Sequence, residues 1–149
     1  MFNHTEKRIT AYRPQQLFDM VADVEAYPLF LPWCVDVTML SRQDDSFVAS
    51  VSAGHKHIRY RFTSHDTLYR PHNDNDGAWR IRAVSHDGPF RSLHNEWVFQ
   101  PHAKGCALAF TIRFEFASPM ATMLFKPLFS RVAYSMVEAF EKRARHLYG

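Results

Sequence analysis

Apolar and polar residues alternate along most of this chain, and the alternation predicts β-strands. The clearest run extends from residue 106 to residue 116, where apolar side chains at every second position oppose Thr111, Arg113 and Glu115. A period of two is typical of a strand with one buried face. Similar alternation marks the segments VDVTML, FVASVSA, HIRYRFTSHDTLY, AWRIRAV and RSLHNEWVF, and a looser one marks HTEKRITAY near the start. The sequence therefore predicts about seven strands.

Polar turn sequences separate these segments and indicate that consecutive strands are antiparallel. The turns are SRQDDS, PHNDNDG from Pro71 to Gly77, HDGPF and PHAKG, and PHNDNDG is the strongest turn signal. Glycine, proline, asparagine and aspartate favour turns because each allows or stabilises a backbone conformation that regular strands avoid. A long meander is expected.

Two segments follow a helical period instead. After Pro14, the segment PQQLFDMVADV places Leu17, Met20, Val21 and Val24 at helical spacing. From Ser118–Pro119 to Tyr148, apolar residues recur at every fourth position, which predicts a long amphipathic helix with a serine cap. Pro127 is expected to kink this helix near its start.

The stretch AYPLFLPWC, Ala26 to Cys34, is called the elbow here. It contains no charge and no glycine, and Pro28 and Pro32 exclude a regular helix or a central strand. A second short helical turn between the prolines is compatible with it. An apolar, stiff segment at this place predicts a lid over an apolar space.

The order of these elements predicts an α+β fold in one domain, residues 1–149. An antiparallel sheet with one apolar face needs a cover, and the last helix is the element long enough to supply it. We therefore expect a curved sheet of about seven strands around the long carboxyl-terminal helix, with two short helices after the first strand. Where a strongly curved sheet and a straight helix separate, a cavity is expected, with the elbow at one end.

Composition narrows the function classes without choosing one. Apolar residues make up 46% and aromatic residues 15% of the chain, so a filled core is expected. The formal charge of +3 permits contact with RNA or anionic lipid but does not predict DNA binding. Cys34 and Cys106 lack metal-ligand spacing. The segment MFNHTEKRITAY has no signal-peptide character, and no run is long enough to span a membrane, so a cytoplasmic protein is expected.

Candidate catalytic and metal-binding groups are few. His55 and His57 lie on one predicted strand face, but no third ligand with suitable spacing accompanies them. His86, Asp87 and Asn95 carry acid–base groups, although residues of these types in turns commonly cap backbone groups. Asp19 and Asp23 fit a solvated helix face. The sequence contains no phosphate-binding glycine loop, nucleophile elbow or zinc-protease motif, and neither a metal nor a catalytic residue is predicted.

The segments YRPQQLFDMVADVEAYPLFLPWC, GPFRSLHNEWVF and FSRVAYSMVEAFEKRARHLYG, together with the element order, resemble the START-type, helix-grip family of polyketide cyclase/dehydrase proteins. Within it the coenzyme Q-binding branch is most similar. That resemblance implies non-enzymatic binding of ubiquinone or a related prenylquinone in support of respiration, with contacts to respiratory-chain components or the inner-membrane surface. The family also includes RatA-type ribosome-association toxins, which implies the large ribosomal subunit as the alternative partner. A cyclase-like enzyme is the third alternative.

The expected ligand site combines the elbow, the inner sheet face and the long helix. A prenyl lipid would be the bound ligand, and no cofactor is expected to be required. Methionines on the helix favour an adaptable apolar wall, since methionine side chains are flexible and polarizable. The residues expected at the site are Phe18, Tyr27, Phe30, Trp33, Phe90, Trp97, Phe110, Phe114, Met123, Leu124, Leu128, Val132 and Met136.

Arginines on the opposite strand faces form the second candidate site. Arg59, Arg61, Arg80 and Arg82, with Arg113, alternate with the apolar residues and are expected together on the outer face of the sheet. A basic stripe of this kind would suit ribosomal RNA or an anionic lipid surface. The simpler interpretation is a solvated face neutralised across strands by Glu115 or Asp66.

Overall fold

The computed structural model confirms the predicted order of strands and helices. It describes residues 1–55, 57–71 and 77–149, so most of the predicted turn PHNDNDG lies outside the described residues. The strands are β1 (Phe2–Thr10), β2 (Cys34–Arg42), β3 (Ser46–His55), β4 (Ile58–Tyr69), β5 (Trp79–Ser85), β6 (Phe90–His102) and β7 (Gly105–Phe116). The helices are α1 (Pro14–Ala22), a 3₁₀ helix (Val24–Leu29) and α2 (Pro119–Tyr148).

All seven strands belong to one antiparallel sheet. The spatial order is β1-β7-β6-β5-β4-β3-β2, so β2 to β7 form a continuous meander and β1 closes the far edge beside β7. The chain therefore has to travel from one edge of the sheet to the other between β1 and β2. It does so through α1, the 3₁₀ helix and the elbow, and α1 contacts β5, β6 and β7 on the way. This crossing covers part of the apolar face.

Local sequence explains where the helices begin. Pro14 is the first residue of α1, where its missing N–H costs nothing, and the Gln16 side chain accepts a hydrogen bond from the Arg13 backbone N–H. Pro119 has the same place in α2, and Ser118 Oγ accepts from the Ala121 backbone N–H at 3.0 Å. The predicted serine cap is therefore confirmed.

The elbow contains the end of the 3₁₀ helix rather than an irregular loop alone. Pro28 lies inside this short helix, which ends at Leu29. Proline excludes a long regular helix but not a single tight turn. The Trp33 carbonyl then accepts a hydrogen bond from the Gly54 backbone N–H at 2.9 Å. That bond ties the elbow to the end of β3 and fixes its position at one end of the sheet.

Alternation along the strands sets which side chains reach the core. In β7, residues 106, 108, 110, 112, 114 and 116 are all buried, and those between them are more exposed. The buried residues of α2, from Phe129 to Ala144, lie in the same core. Cys34 and Cys106 are buried free thiols. The START-like helix-grip architecture is thus confirmed, and the space between sheet and helix is where a site can form.

Candidate functional site

A largely apolar cavity lies between the inner face of the sheet and the helices. Its volume is about 80 Å³. Pockets for small organic ligands are usually about 300–1,000 Å³. The cavity in this conformation is therefore too small for a lipid, and a lipid can enter only if the wall side chains move apart.

Side chains from every layer of the fold form the cavity wall. Strands β3 to β7 provide the floor, α1 and the 3₁₀ helix cover one end, and α2 covers the other. The wall residues include Tyr27, Trp33, Ala49, Ser64, Asp66, Ala83, Asn95, Trp97, Phe129, Val132 and Met136. Five predicted ligand residues are among them, namely Tyr27, Trp33, Trp97, Val132 and Met136.

The elbow supplies the aromatic end of this wall. Tyr27 and Trp33 both line the cavity, and the Tyr27 hydroxyl donates to the Val21 carbonyl at 2.5 Å. Burial, with the nearby Asp66 carboxyl as a second cause, raises the pKa of Tyr27 well above its ordinary value. Tyr27 therefore stays neutral at physiological pH, and its hydroxyl holds the 3₁₀ helix against α1.

Five other predicted ligand residues are packed elsewhere in the core. Phe90 and Phe114 belong to an aromatic cluster around Phe129, with ring centroids 4.7 and 5.9 Å from it. Phe110 packs against Trp97 and Phe18 against Trp79, at ring-centroid distances of 4.4 and 4.9 Å. Phe30 packs on Phe140 at 5.2 Å. These five support the wall residues, and their contact with a ligand stays a prediction.

The remaining three lie at the start of α2 and are not part of the cavity wall. Met123 is 76% exposed and Leu124 48% exposed, while Leu128 is half-buried. A groove of about 200 Å³ runs between Ile58 and this part of the helix. The helical period places Met123 and Leu124 on α2 correctly, but both are on its exposed side, whereas Phe125 of the same turn packs on Tyr60 of β4 at a ring-centroid distance of 4.8 Å.

A buried carboxyl in the wall was not expected. Asp66 is 7% exposed and faces inward, in phase with Phe62 and Leu68 on β4. The suggestion that Asp66 neutralises outer arginines is therefore wrong, because it lies on the other face. Its phase in β4 was the signal that could have revealed this. Ser64 Oγ donates to Asp66 Oδ1 at 2.5 Å, and burial raises the pKa of Asp66 to about 6.

The arginines share the outer face but do not form one stripe. In the β4–β5 register Arg82 lies opposite Thr67 and Arg80 opposite Tyr69. Thr67, the residue opposite Arg82, is six residues from Arg61 along β4, a distance of roughly 20 Å at the usual rise per residue. The arginines therefore form two separate pairs.

Neighbouring side chains already engage two of these arginines. The Arg82 guanidinium donates to the Glu96 carboxylate, and Arg61 Nη1 donates to Ser50 Oγ at 2.9 Å. Glu115, the other expected neutraliser, pairs with Arg91 at 3.3 Å. The outer face therefore carries mixed charge rather than a continuous cationic surface.

The candidate acid–base residues are not brought together. Asp87 Oδ1 accepts from the Thr63 backbone N–H at 2.7 Å and from Ser85 Oγ at 3.1 Å, and these bonds lower the pKa of Asp87 against the opposing effect of burial. His86 is exposed, whereas Asn95 lines the cavity. The pair His55 and His57 lies partly outside the described residues. In the described ranges no three His, Cys, Asp or Glu side chains cluster as metal ligands.

A curved antiparallel sheet, a long covering helix and an apolar cavity between them define a START-like ligand-binding protein. Residues 10–141 match the model of the family described as polyketide cyclase / dehydrase and lipid transport. The chain belongs to that family. Over the described helices, none is both long enough and apolar enough to cross a membrane.

Individual relatives fall into two functional groups. The chain is 34% identical to the ribosome association toxin RatA of Rickettsia prowazekii, covering 98% of this chain and 97% of the toxin. It is 32% identical to the mitochondrial coenzyme Q-binding protein COQ10 homolog B of Xenopus laevis, covering 98% of this chain but 59% of that protein. A STAR-related lipid transfer protein of Xanthomonas axonopodis has the same fold, with a TM-score of 0.78 at 13% identity, covering 96% of this chain and 85% of that one.

Proposed function

We propose that this protein binds a hydrophobic ligand, ubiquinone or a related prenylquinone, in the cavity between sheet and helix, and does so without converting it. The observation that carries the proposal is the largely apolar wall of the cavity between sheet and helix, which includes Trp33, Trp97, Val132 and Met136. The cavity volume of about 80 Å³ is below the usual range of small-ligand pockets, so a bound ligand has to widen it. In the cell, the bound quinone would support respiratory electron transport.

Burial of the prenyl tail would supply the affinity. At roughly 0.8 kcal/mol per buried CH₂, each isoprene unit contributes about 3–4 kcal/mol before ordering costs. Since the cavity volume is about 80 Å³, entry of a ligand requires the side chains of α2 and the elbow to move apart. A long tail would extend beyond the protein into a membrane.

The exposed start of α2 is the surface through which such a tail would pass, and we propose that it docks on an anionic lipid bilayer. Met120, Met123 and Leu124 are exposed apolar residues, and Leu124 lines the groove beside Ile58. From Pro119 to Val137, α2 contains Lys126 and Arg131 but no acidic residue. Apolar side chains flanked by cations are typical of a helix that lies on an anionic membrane.

Filling the cavity tests the binding proposal. Val132→Trp adds an indole to the cavity wall, and Tyr134→Trp adds the same group to the exposed side of the same helix. We expect Val132→Trp to retain less than about one tenth of the parent's quinone, because tightly packed interiors accept little added volume. Each protein is incubated with a ubiquinone carrying one isoprene unit and gel-filtered, and the retained quinone is measured by absorbance.

The control and the fold are checked in the same samples. Tyr134→Trp is expected to retain as much quinone as the parent, and circular dichroism must show that both variants are folded. Quinone retention by folded Val132→Trp at the parent's level would show that the cavity is not the binding site and would refute the proposal.

The second candidate function is that of a ribosome-binding toxin, which would bind the large ribosomal subunit and block subunit association. The observation that favours it is the RatA relative, whose length this chain matches almost completely. Within the described residues, Arg59 has no ion pair, and Arg61 bonds only to a serine, so this pair is better placed to contact phosphate than Arg82.

A third possibility, a cyclase-like reaction, has weaker support. The family description includes polyketide cyclases and dehydrases. A buried Asp66 beside Ser64 could in principle move a proton, but His86 and Asp87 lie outside the cavity wall. Among the described residues of the cavity wall, the one other acid–base group beside Asp66 is Tyr27, whose hydroxyl is bonded to the Val21 carbonyl. Binding therefore has more support than turnover.

A further inference from the structure

The Asp66 carboxyl is an unusual group for this cavity wall. It is 93% buried by accessible area, and its side-chain hydrogen-bond partner is the Ser64 hydroxyl. Within the described residues, no lysine, arginine or histidine nitrogen lies within ion-pair distance of it. Burying a carboxyl without a cation lowers stability, and such groups are concentrated at functional sites.

A second polar group faces Asp66 across the floor of the cavity. In the sheet register Asp66 lies opposite Ala83 on β5, and Ala83 lies opposite Asn95 on β6. Residues in register point to the same face, so Asp66 and Asn95 flank the small Ala83 side chain. Two strand spacings separate their backbones by roughly 10 Å. All three residues line the cavity.

This spacing suits a flat ring with a polar atom on each of two opposite edges. The ring would lie on the Ala83 methyl group, and a hydrogen bond at either edge would span roughly 2.8 Å. The Asn95 amide has N–H donors, and a protonated Asp66 has an O–H donor. Both ends can therefore donate, and the complementary ligand atoms are acceptors such as carbonyl oxygens.

We propose that Asp66 and Asn95 form the head-group site of the cavity and bind a six-membered ring that carries carbonyl oxygens on opposite edges. Protonated Asp66 donates to one carbonyl and Asn95 to the other, while Ser64 orients the Asp66 carboxyl. This inference rests on the proposed binding function and adds the residues that recognise the ligand's polar end.

The protonation of Asp66 is set by its surroundings. Besides Asp66, the titratable groups at this end of the cavity are Tyr27 from the 3₁₀ helix, Cys34 from β2 and the exposed Asp23 at the end of α1. Burial raises the pKa of Tyr27 and Cys34, that of Cys34 to about 12, so neither is charged near neutral pH. The wall residues of α1, β3, β5 and α2 at this end, such as Val21, Phe47, Ala83 and Met136, are apolar. Among the described wall residues, Asp66 is therefore the group whose charge changes near neutral pH.

A pair of substitutions tests the head-group site. The probes are a decyl-substituted benzoquinone and decylbenzene, which has the same tail without carbonyls, and affinity is measured by displacement of an environment-sensitive dye. We expect Asp66→Leu to weaken quinone binding by roughly tenfold, the effect of one lost hydrogen bond, and to leave decylbenzene binding unweakened. Thr67→Val, the next residue on the outer face of β4, is the matched control and should bind both probes like the parent.

The pH dependence separates a carbonyl ligand from a cationic one. For the parent, quinone affinity should be constant below about pH 6 and fall by about tenfold per unit above it, as Asp66 loses its proton. Asp66→Asn keeps an N–H donor and should bind quinone at every pH with the same affinity. An affinity that rises with pH would indicate a cationic ligand and would overturn the proposal.

Two further results would also overturn it. One is unchanged quinone affinity in Asp66→Leu, and the other is a pH dependence that persists in Asp66→Asn. Either of these, together with loss of binding in Val132→Trp, would leave the cavity as the binding site and remove only the head-group assignment. Unchanged binding in Val132→Trp would instead refute the binding function itself.

Discussion

At the scale of single residues, the inward position of Asp66 on β4 determines its burial and its protonation. It occupies a position that Phe62 and Leu68 define as inward, and it is buried beside the half-buried Ser64 in the cavity wall. A carboxylate placed there loses its hydration and gains one hydroxyl hydrogen bond, which does not compensate for the loss. Burial therefore raises the pKa of Asp66 to about 6, so the carboxyl is neutral below that pH and largely ionised at neutral pH.

The burial of Asp66 leads us to predict how the stability of the fold depends on pH. Asp66 has a pKa near 6 in the folded protein and an ordinary value of 3.8 when unfolded. The folded state therefore binds the proton more tightly, and stability is highest below about pH 4 and falls as pH rises through 6. The loss from this group is about 3 kcal/mol at most.

The measurement compares the parent with Asp66→Asn, whose amide oxygen can still accept from Ser64. We expect the free energy of unfolding in urea to favour the variant progressively between about pH 4 and pH 6, and to level off above about pH 7. A constant difference between the two proteins across this range would contradict the raised pKa.

At the scale of elements, sequence patterns identify strands and helices well but not their neighbours. The period of two in β7 and the period of four in α2 are continuous over whole elements, and both elements are confirmed. Phe90, Phe110 and Phe114 were also correctly predicted to be inward. Which inward residues reach the cavity depends on where α2 crosses the sheet, and no local pattern encodes that crossing.

The start of α2 also shows that the apolar period of a helix does not by itself predict which of its residues are buried. Met123 and Leu124 follow the apolar period of the helix, yet they are exposed, whereas Phe125 in the same turn packs against Tyr60 of β4. Likewise, the alternation places Arg61 and Arg82 on one face, but the β4–β5 register separates them. Register is set by pairing between strands, and one strand's sequence does not specify it.

A prediction about membrane binding belongs to this element. The double variant Met123→Glu and Leu124→Glu removes two exposed apolar side chains from the start of α2. We expect its co-sedimentation with vesicles of equal parts phosphatidylglycerol and phosphatidylcholine to fall more than tenfold, since each side chain contributes about 1.5–3 kcal/mol when buried in the bilayer.

The matched control changes two other exposed apolar residues of the same helix. Tyr134→Glu with Leu147→Glu has the same change in charge, and both residues are exposed. This control should bind vesicles as the parent does. An equal loss in both double variants would show that net charge, and not the start of α2, determines vesicle binding.

At the scale of the whole molecule, the two faces of one sheet can support two different functions. The inner face carries the cavity, and the outer face carries mixed charges in which Arg82 is paired with Glu96. One relative is named a ribosome association toxin, RatA, and another is named a coenzyme Q-binding protein, a COQ10 homolog. Because the side chains of the two faces do not mix, substitutions on one face can leave the other intact.

A substitution of the outer face therefore separates the two candidate functions. Changing Arg59, Arg61, Arg80 and Arg82 to Ser leaves the cavity wall untouched, since none of the four lines it. Quinone retention should remain at the parent's level. Binding to the large ribosomal subunit, if it uses this face, depends on phosphate contacts and should weaken steeply with added salt.

The experiment measures co-sedimentation of the parent, the four-arginine variant and Val132→Trp with purified large subunits at low and physiological salt, alongside respiration in cells carrying each protein. We expect respiration to depend on Val132 and to change little in the arginine variant, because quinone binding uses the inner face. The opposite pattern would be normal respiration with Val132→Trp and loss of subunit binding only in the arginine variant. That result would replace quinone binding with the ribosome function, because the only face altered in the arginine variant is the outer one.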